Sequence, residues 1–187
     1  MTTATAPALT ELTGSYTLDP AHTRIGFVAR HAMVTKVRGA FNEFEGTATL
    51  DGANPANSSA QVTISTASID TRNAQRDGHL RSNDFLAMDE YPQITFVSTG
   101  ARQVDDSTFE LIGDLTIKGV TNPITIPFSF EGAAKDPFGN LRVGFEGAVT
   151  INRKDYGITW NAALETGGVL VSDKVTLEFE LSLVKNA

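Results

Sequence analysis

The sequence predicts an all-β chain of about eight antiparallel strands with one short helical insert, and three observations carry that prediction. Apolar residues recur with period two along most of the chain, a pattern that half-buried strands produce and helices do not. Turn-forming clusters punctuate these runs at short intervals: "DGANPANSS", "VDDST", "KGVTNP", "KDPFGN" and "ETGG". Connections that short favour antiparallel neighbours, because a parallel pair needs a long crossover. A single polar segment, residues 70–92, interrupts the alternation.

Taken in order, residues 1–13 contain no basic residue and no sustained apolar run, and are expected to be a flexible segment ahead of one domain, 14–187. In "DPAHT", Pro20 marks a turn, where the His22 imidazole is expected to bond turn backbone or Asp19. The next run puts Ile25, Phe27, Ala29 and His31 on one face, so His31 is expected on a mainly apolar inner surface. His22 and His31 are an odd number of residues apart, so an unbroken strand points them to opposite faces and they cannot share a metal ion.

Residues 37–50 do not keep parity, since Phe41 and Phe44 cannot share a face. A bulge near Gly39 or Gly46, or a long strand buried on both sides at different points, would account for it. Val62 and Ile64, then Ile94 and Phe96, then Leu111, Leu115 and Ile117 each share a face. Ile124, Ile126, Phe128 and Phe130 follow, then Val143, Phe145, Val149 and Ile151. The last run places Val175, Leu177, Phe179, Leu181 and Leu183 opposite Thr176, Glu178, Glu180 and Ser182. The insert reads as a short helix or helical turns around 73–88, capped by Asn73, weakened by Gly78, and suited to covering a sheet edge or one end of a barrel. Periodicity alone leaves a sandwich and a closed barrel as alternatives.

Composition narrows the function classes. The 187 residues fit one globular domain, and the absence of cysteine removes thiol catalysis, thiolate metal sites and disulfides. A net charge of −7 with scattered basic residues is a poor match to nucleic acid, whose binding needs clustered Lys and Arg. No leader and no membrane-spanning segment is read in the sequence, so a cytoplasmic location is expected. No GxSxG elbow is present, and "GDLTIKG" lacks phosphate-loop spacing and reads as a turn.

The ordered motifs "YTLDPAHTRIGFVARHAM", "GAFNEFEG", "ASIDTRNAQRDGHLRSNDFLAMDEYPQITFVST", "GDLTIKGVTNPITI" and "INRKDYGI" strongly resemble the YceI-like family of bacterial lipid-binding proteins, from about Gly14 to Val184. The resemblance implies a lipocalin-like, extended eight-stranded antiparallel barrel with an elongated apolar cavity for polyisoprenoid or similar long-tailed lipids. It implies no catalytic activity and no cofactor. A barrel of this size has room for its own side chains or for one slender ligand.

On that footing the expected ligand contacts are Ile25, Phe27, His31, Phe41 and Ile94, together with Phe96, Leu115, Phe128, Phe145 and Trp160. His31 would meet the ligand head group or its own neighbours, and Trp160 suits either core packing or a cavity mouth. A diphosphate head would recruit Arg24, Arg30, Lys36 or Arg38. The cluster Arg76, Asp77, His79, Arg81 and Asp84 reads as a charge network fixing the insert, and Arg153 as a turn residue bridging to an acid. The expected partner is an isoprenoid or other long-tailed lipid, with no nucleic acid and no integral membrane segment; a homodimer is an open alternative. Two other readings compete: an enzyme on a lipid-like substrate using His31 and a nearby acid, and an interaction module whose barrel is filled by its own side chains.

Overall fold

The structure, a computed structural model, describes residues 8–165 and 167–187. Its regular elements are β1 (Gly14–Leu18), β2 (Arg24–His31), β3 (Thr35–Phe41), β4 (Phe44–Leu50), β5 (Ser59–Ser65), β6 (Ile69–Asp70), α1 (Ala74–Arg81), β7 (Gln93–Gln103), β8 (Thr108–Ile117), β9 (Val120–Lys135), β10 (Leu141–Asn152) and β11 (Lys174–Lys185). Every strand pairing is antiparallel, and the eleven segments form eight barrel staves. Three staves are broken strands: β1 and β2 around a 3-10 turn at Pro20–His22, β3 and β4 around Asn42 and Glu43, β5 and β6 around a 3-10 turn at Thr66–Ser68. The staves follow chain order, and β11 closes the ring by pairing with β1 (Leu18 opposite Leu183) and β2 (Phe27 opposite Leu177). The barrel, not the sandwich, is the fold.

The breaks explain the parity failure at Phe41 and Phe44. Neither Gly39 nor Gly46 is bulged; the chain leaves the ladder for two residues, and both rings pack toward the core. The adjacent break is in register with it. Asn42 N–H donates to the Ser68 carbonyl (3.1 Å) and Ser65 N–H to the Glu43 carbonyl (2.9 Å), so neighbouring staves bend together without stranding buried backbone groups.

The inward parities hold around the ring: the predicted apolar faces of β8, β9 and β10 join the hydrophobic core, as do Ile25 and Phe27 of β2 and Leu177 to Leu183 of the β11 face. Phe27 lies against Gly39, Phe96 against Gly113 and Phe128 against Gly147 across the strand ladder. A Cβ at Gly113 would meet the Phe96 ring at 2.5 Å and the Val97 carbonyl at 2.6 Å. These glycines let large rings lie flat on the wall instead of filling the lumen. The turn expected over "KGVTNP" shrinks to Lys118 and Gly119, and β9 runs through Pro123 and Pro127. Proline is tolerated there because β10 joins β9 only from Phe128 onward, leaving the preceding edge with no ladder partner to receive its missing N–H.

One end of the barrel is covered by the insert, but the helix occupies only Ala74–Arg81 of the expected 73–88; turns complete the segment, with Ala87 left-handed (φ 49°). Asn73 caps it as expected, accepting from the Arg76 N–H at 2.9 Å. At the other end, Leu9–Leu12 forms a 3-10 turn with Leu12 buried, its carbonyl accepting from the Tyr16 hydroxyl at 2.7 Å. The expected flexible segment is thus packed over its last part, because Leu9 and Leu12 find apolar surface at the barrel floor; residues 1–7 lie outside the described residues.

Asp19 fastens the bend between β1 and β2. Its carboxylate accepts from the Ala21 N–H (3.0 Å), meets His22 Nδ1 (2.8 Å) as the sequence suggested, and receives the Arg142 guanidinium (2.6 Å), which also donates to Asp136 (2.9 Å). The hydrogen bonds from Arg142, then from His22, hold the Asp19 carboxyl at about 2, below its usual 3.8. A depressed carboxyl stabilises the fold above its unfolded value and loses that contribution as pH falls through the folded one. Chemical denaturation should therefore show stability declining from about pH 4 to about pH 2, and Asp19→Asn should flatten that slope while costing about 1–2 kcal/mol at neutral pH. Gly113→Ala should lower stability by about 1–3 kcal/mol, through the Phe96 ring and the Val97 carbonyl; an unchanged melting midpoint would refute the ring-over-glycine packing.

Candidate functional site

The lumen holds three adjoining spaces. A central chamber of about 220 Å³ is walled almost wholly by apolar side chains. Toward the floor it adjoins a second apolar chamber of about 130 Å³, with Ala60, Leu111, Phe128 and Leu181 common to both. Toward the insert it adjoins a mouth of about 900 Å³, with Phe27, Ala29, Leu80, Phe85 and Val171 common to both. The apolar faces point inward and Glu178 and Glu180 alternate with them along β11, the reverse of a membrane-spanning barrel.

Each of the ten sequence-selected residues lines one or more of these three spaces. Ile25, Phe41, Ile94, Phe96 and Leu115 wall the central chamber; Phe27 reaches both it and the mouth; Phe128 stands between the chambers; Phe145 lies in the far one. Phe145 packs against Phe130 in a tilted pair (5.4 Å between ring centroids) and edge-on against Phe128 and Phe109 (6.4 Å each). His31 and Trp160 are at the mouth. The placement of His31 differs from expectation: β2 ends there, the side chain is exposed, and among the described residues it has no hydrogen-bond or acidic partner. Parity aimed it inward, but at the last residue of a strand inward means toward the opening. Trp160 is half-buried, its ring 4.7 Å from that of His79 and 5.3 Å from that of Phe85, which sets three rings beside the opening. The His79 Nε2 is in turn 2.9 Å from Asp84.

Arg153, 4% exposed, is a buried titratable group of the inner wall, which sequence reasoning placed in a turn with an acidic partner. Its acid, Asp173, is 3.8 Å away; the closer partners are backbone carbonyls of Ser172 (2.9 Å), Ile158 (2.9 Å) and Trp160 (2.8 Å). Burial pushes the guanidinium downward, and Asp173 opposes the shift. Saturating the guanidinium with carbonyls makes its burial tolerable and ties the 158–173 loop to the barrel. Nothing in "INRKDYGI" distinguishes a buried arginine from an exposed one, so the role was not legible. Tyr156, 1% exposed in the same wall, has a hydroxyl without a hydrogen-bond partner among the described residues, and burial raises its pKa.

The insert network is also wired differently from expectation. Buried Asp77 accepts from the Thr71 N–H (2.9 Å) and hydroxyl, while Arg76 donates to Thr71 (2.6 Å to its carbonyl) and Arg81 to the carbonyls of Ala67 and Ile69. The arginines saturate loop backbone rather than the neighbouring carboxylates. The mouth is lined by Arg30, Lys36, Arg38 and Arg76 with His31 and His79, and by no carboxylate among the described residues. Basic residues that look scattered in a chain of −7 are gathered at this opening. No group of three or more His, Asp or Glu is placed to share a metal ion among the described residues, and no helix among them is long and apolar enough to cross a membrane.

The model of the YceI-like domain matches residues 16–183. A UPF0312 protein of Staphylococcus aureus strain MSSA476 is 42% identical over 165 residues, 88% of this chain and 94% of its own length. A UPF0312 protein of Ectopseudomonas mendocina is 42% identical over 138 residues, 74% of this chain and 72% of its own. Among solved structures, BcnA of Burkholderia cenocepacia is similar with a TM-score of 0.78 at 27% identity, covering 88% of this chain and 98% of its own. The YCEI protein of Campylobacter jejuni is similar at 0.73 and 29% identity, covering 84% and 90%. A polyisoprenoid binding domain from Saccharophagus degradans shares the fold (0.69, 17% identity, 91% and 98% covered). With a domain match that runs almost end to end and relatives this similar over most of their length, the chain belongs to the YceI-like family.

Proposed function

We propose that the protein binds a long-chain isoprenoid-type lipid, a polyprenyl chain or a quinone, for storage or transport, with its tail in the two apolar chambers and its head at the mouth. One observation carries this reading: two adjoining apolar chambers in line with a polar opening lined by cations and histidines. A tail gains roughly 0.8 kcal/mol per buried CH₂ before ordering costs, so the chambers need no polar contact along their length to hold one. The polyisoprenoid binding domain of Saccharophagus degradans shares the barrel, and the match to the YceI-like domain agrees with the same class of ligand. The competing enzyme reading asked for an acid beside His31, and no carboxylate lines the mouth among the described residues. The filled-barrel reading is disfavoured by the chambers themselves.

Native mass spectrometry of protein purified from its own host, followed by organic extraction, is expected to release a lipid; repeated recovery of an empty chain that also ignores added isoprenoids would sink the proposal. Ala60→Phe, placed where the two chambers meet, should shut the far one. Excluding as few as two methylenes should weaken binding about fifteen-fold, because roughly 1.6 kcal/mol is lost. For the head group, a polyprenyl diphosphate should bind more tightly than the corresponding alcohol at low salt and lose that advantage at high salt. Equal affinities at both ionic strengths would show that the mouth cations do not read the head.

A further inference from the structure

The geometry points to a membrane-docking face at the mouth: the tip of the β2–β3 hairpin, with Met33 and Val34, and the adjoining loop with Val169, seat on an anionic bilayer surface. The inference rests on the lipid-binding reading for its purpose, since a mouth pressed to the bilayer lets a tail pass into the barrel without crossing water.

Met33 is 60% exposed, Val34 78% and Val169 40%. These apolar side chains lie at one rim. Ala32 N–H donates to the Leu170 carbonyl (2.7 Å), and Ser172 N–H to the Arg30 carbonyl (3.1 Å), so hairpin and loop form one edge. The tip is a three-residue connection, Ala32 to Val34, between the paired His31 and Thr35; it contains a turn closed by Val34 N–H on the His31 carbonyl (3.2 Å), with Ala32 at φ 51° and Met33 at φ 67°. Turns with both central residues left-handed ordinarily take Asn-Gly, so this one holds an alanine and a methionine in strained conformations and presents apolar groups to solvent.

Charge selects the partner. Residues 20–42 contain Arg24, Arg30, Lys36 and Arg38 and none of the 22 acidic residues of a chain whose net charge is −7. Arg30 and Lys36 stand opposite each other in the ladder, on its outward parity, one register step from the tip. Among the described residues neither has a carboxylate within 4 Å, while Arg38 reaches Glu178 at 3.6 Å. Glu165 is the one acid among the described residues of the adjoining loop, 159–172. The rest of the surface carries the acidic excess, so an anionic bilayer repels the molecule in other orientations and attracts it in this one. An apolar tip behind which basic side chains form a collar combines the two signals that reversible membrane attachment needs.

Flotation with vesicles of phosphatidylcholine alone, and of phosphatidylcholine with about one-third phosphatidylglycerol, tests the inference. The full chain is expected to bind the anionic vesicles at least ten-fold more tightly, with the difference collapsing in high salt. Met33→Asp with Val34→Asp, at exposed positions, should reduce that binding at least ten-fold, and Arg30→Gln or Lys36→Gln about five-fold each. Tail uptake from detergent-free solution should be unchanged in Met33→Asp, which separates docking from the lipid-binding reading. Equal binding to neutral and anionic vesicles, indifference to the tip substitutions, or a dimer in sedimentation equilibrium that those substitutions dissolve would overturn the inference.

Discussion

Strand β11 has two partners on one edge, and the rest of the architecture depends on that division. Along its other edge it pairs with β10 from Lys174 to Val184. On the shared edge, residues 176–180 belong to β2 and residues 183–185 to β1. A single straight strand could not serve both, so the chain turns out of the ladder at Pro20–His22, and the neighbouring staves break in step. Bending all three at one level lengthens the barrel on that side and leaves room for an insert over one end. Closure also pairs most strand edges within the ring and leaves the β9 segment before Phe128 as a free edge, where Pro123 and Pro127 stand.

Within this frame the lumen is shaped by pairing rings with glycines. Phe27 and Phe128 stand directly opposite Gly39 and Gly147, while Phe96, opposite Leu115, lies over Gly113 on the diagonal. Laid over Gly39, Gly113 and Gly147, the rings become wall. The open bore therefore comes from where the smallest residues stand on neighbouring strands as much as from the large residues that line it. This is a property of pairs, and single-strand periodicity does not see it.

Much of the fold was legible in the sequence, because parity is a strict consequence of strand geometry. The inner faces of β8, β9, β10 and β11 could be read residue by residue, and so could the His22–Asp19 contact, which is local. What stayed hidden depended on register or on depth. Pro123 read as a turn residue until the pairing shows that its edge is free. Arg153 read as a turn residue bridging to an acid until the 158–173 loop folds over it and supplies backbone carbonyls instead. His31 was aimed correctly and misjudged in burial, since alternation gives direction but not distance from the end of the barrel. The mouth cations appeared scattered because Arg76 joins Arg30, Lys36 and Arg38 only after the insert folds across the opening.

The small turn at Leu9–Leu12 gains significance once the chambers are seen as a whole. Leu9 and Leu12 line the far chamber, so the deepest atoms of anything that enters meet the chain's own beginning. On the proposed lipid reading, these leucines would set the depth to which a tail can pass, so that a guest matching the distance from them to the mouth would fill the barrel without leaving apolar carbon in water.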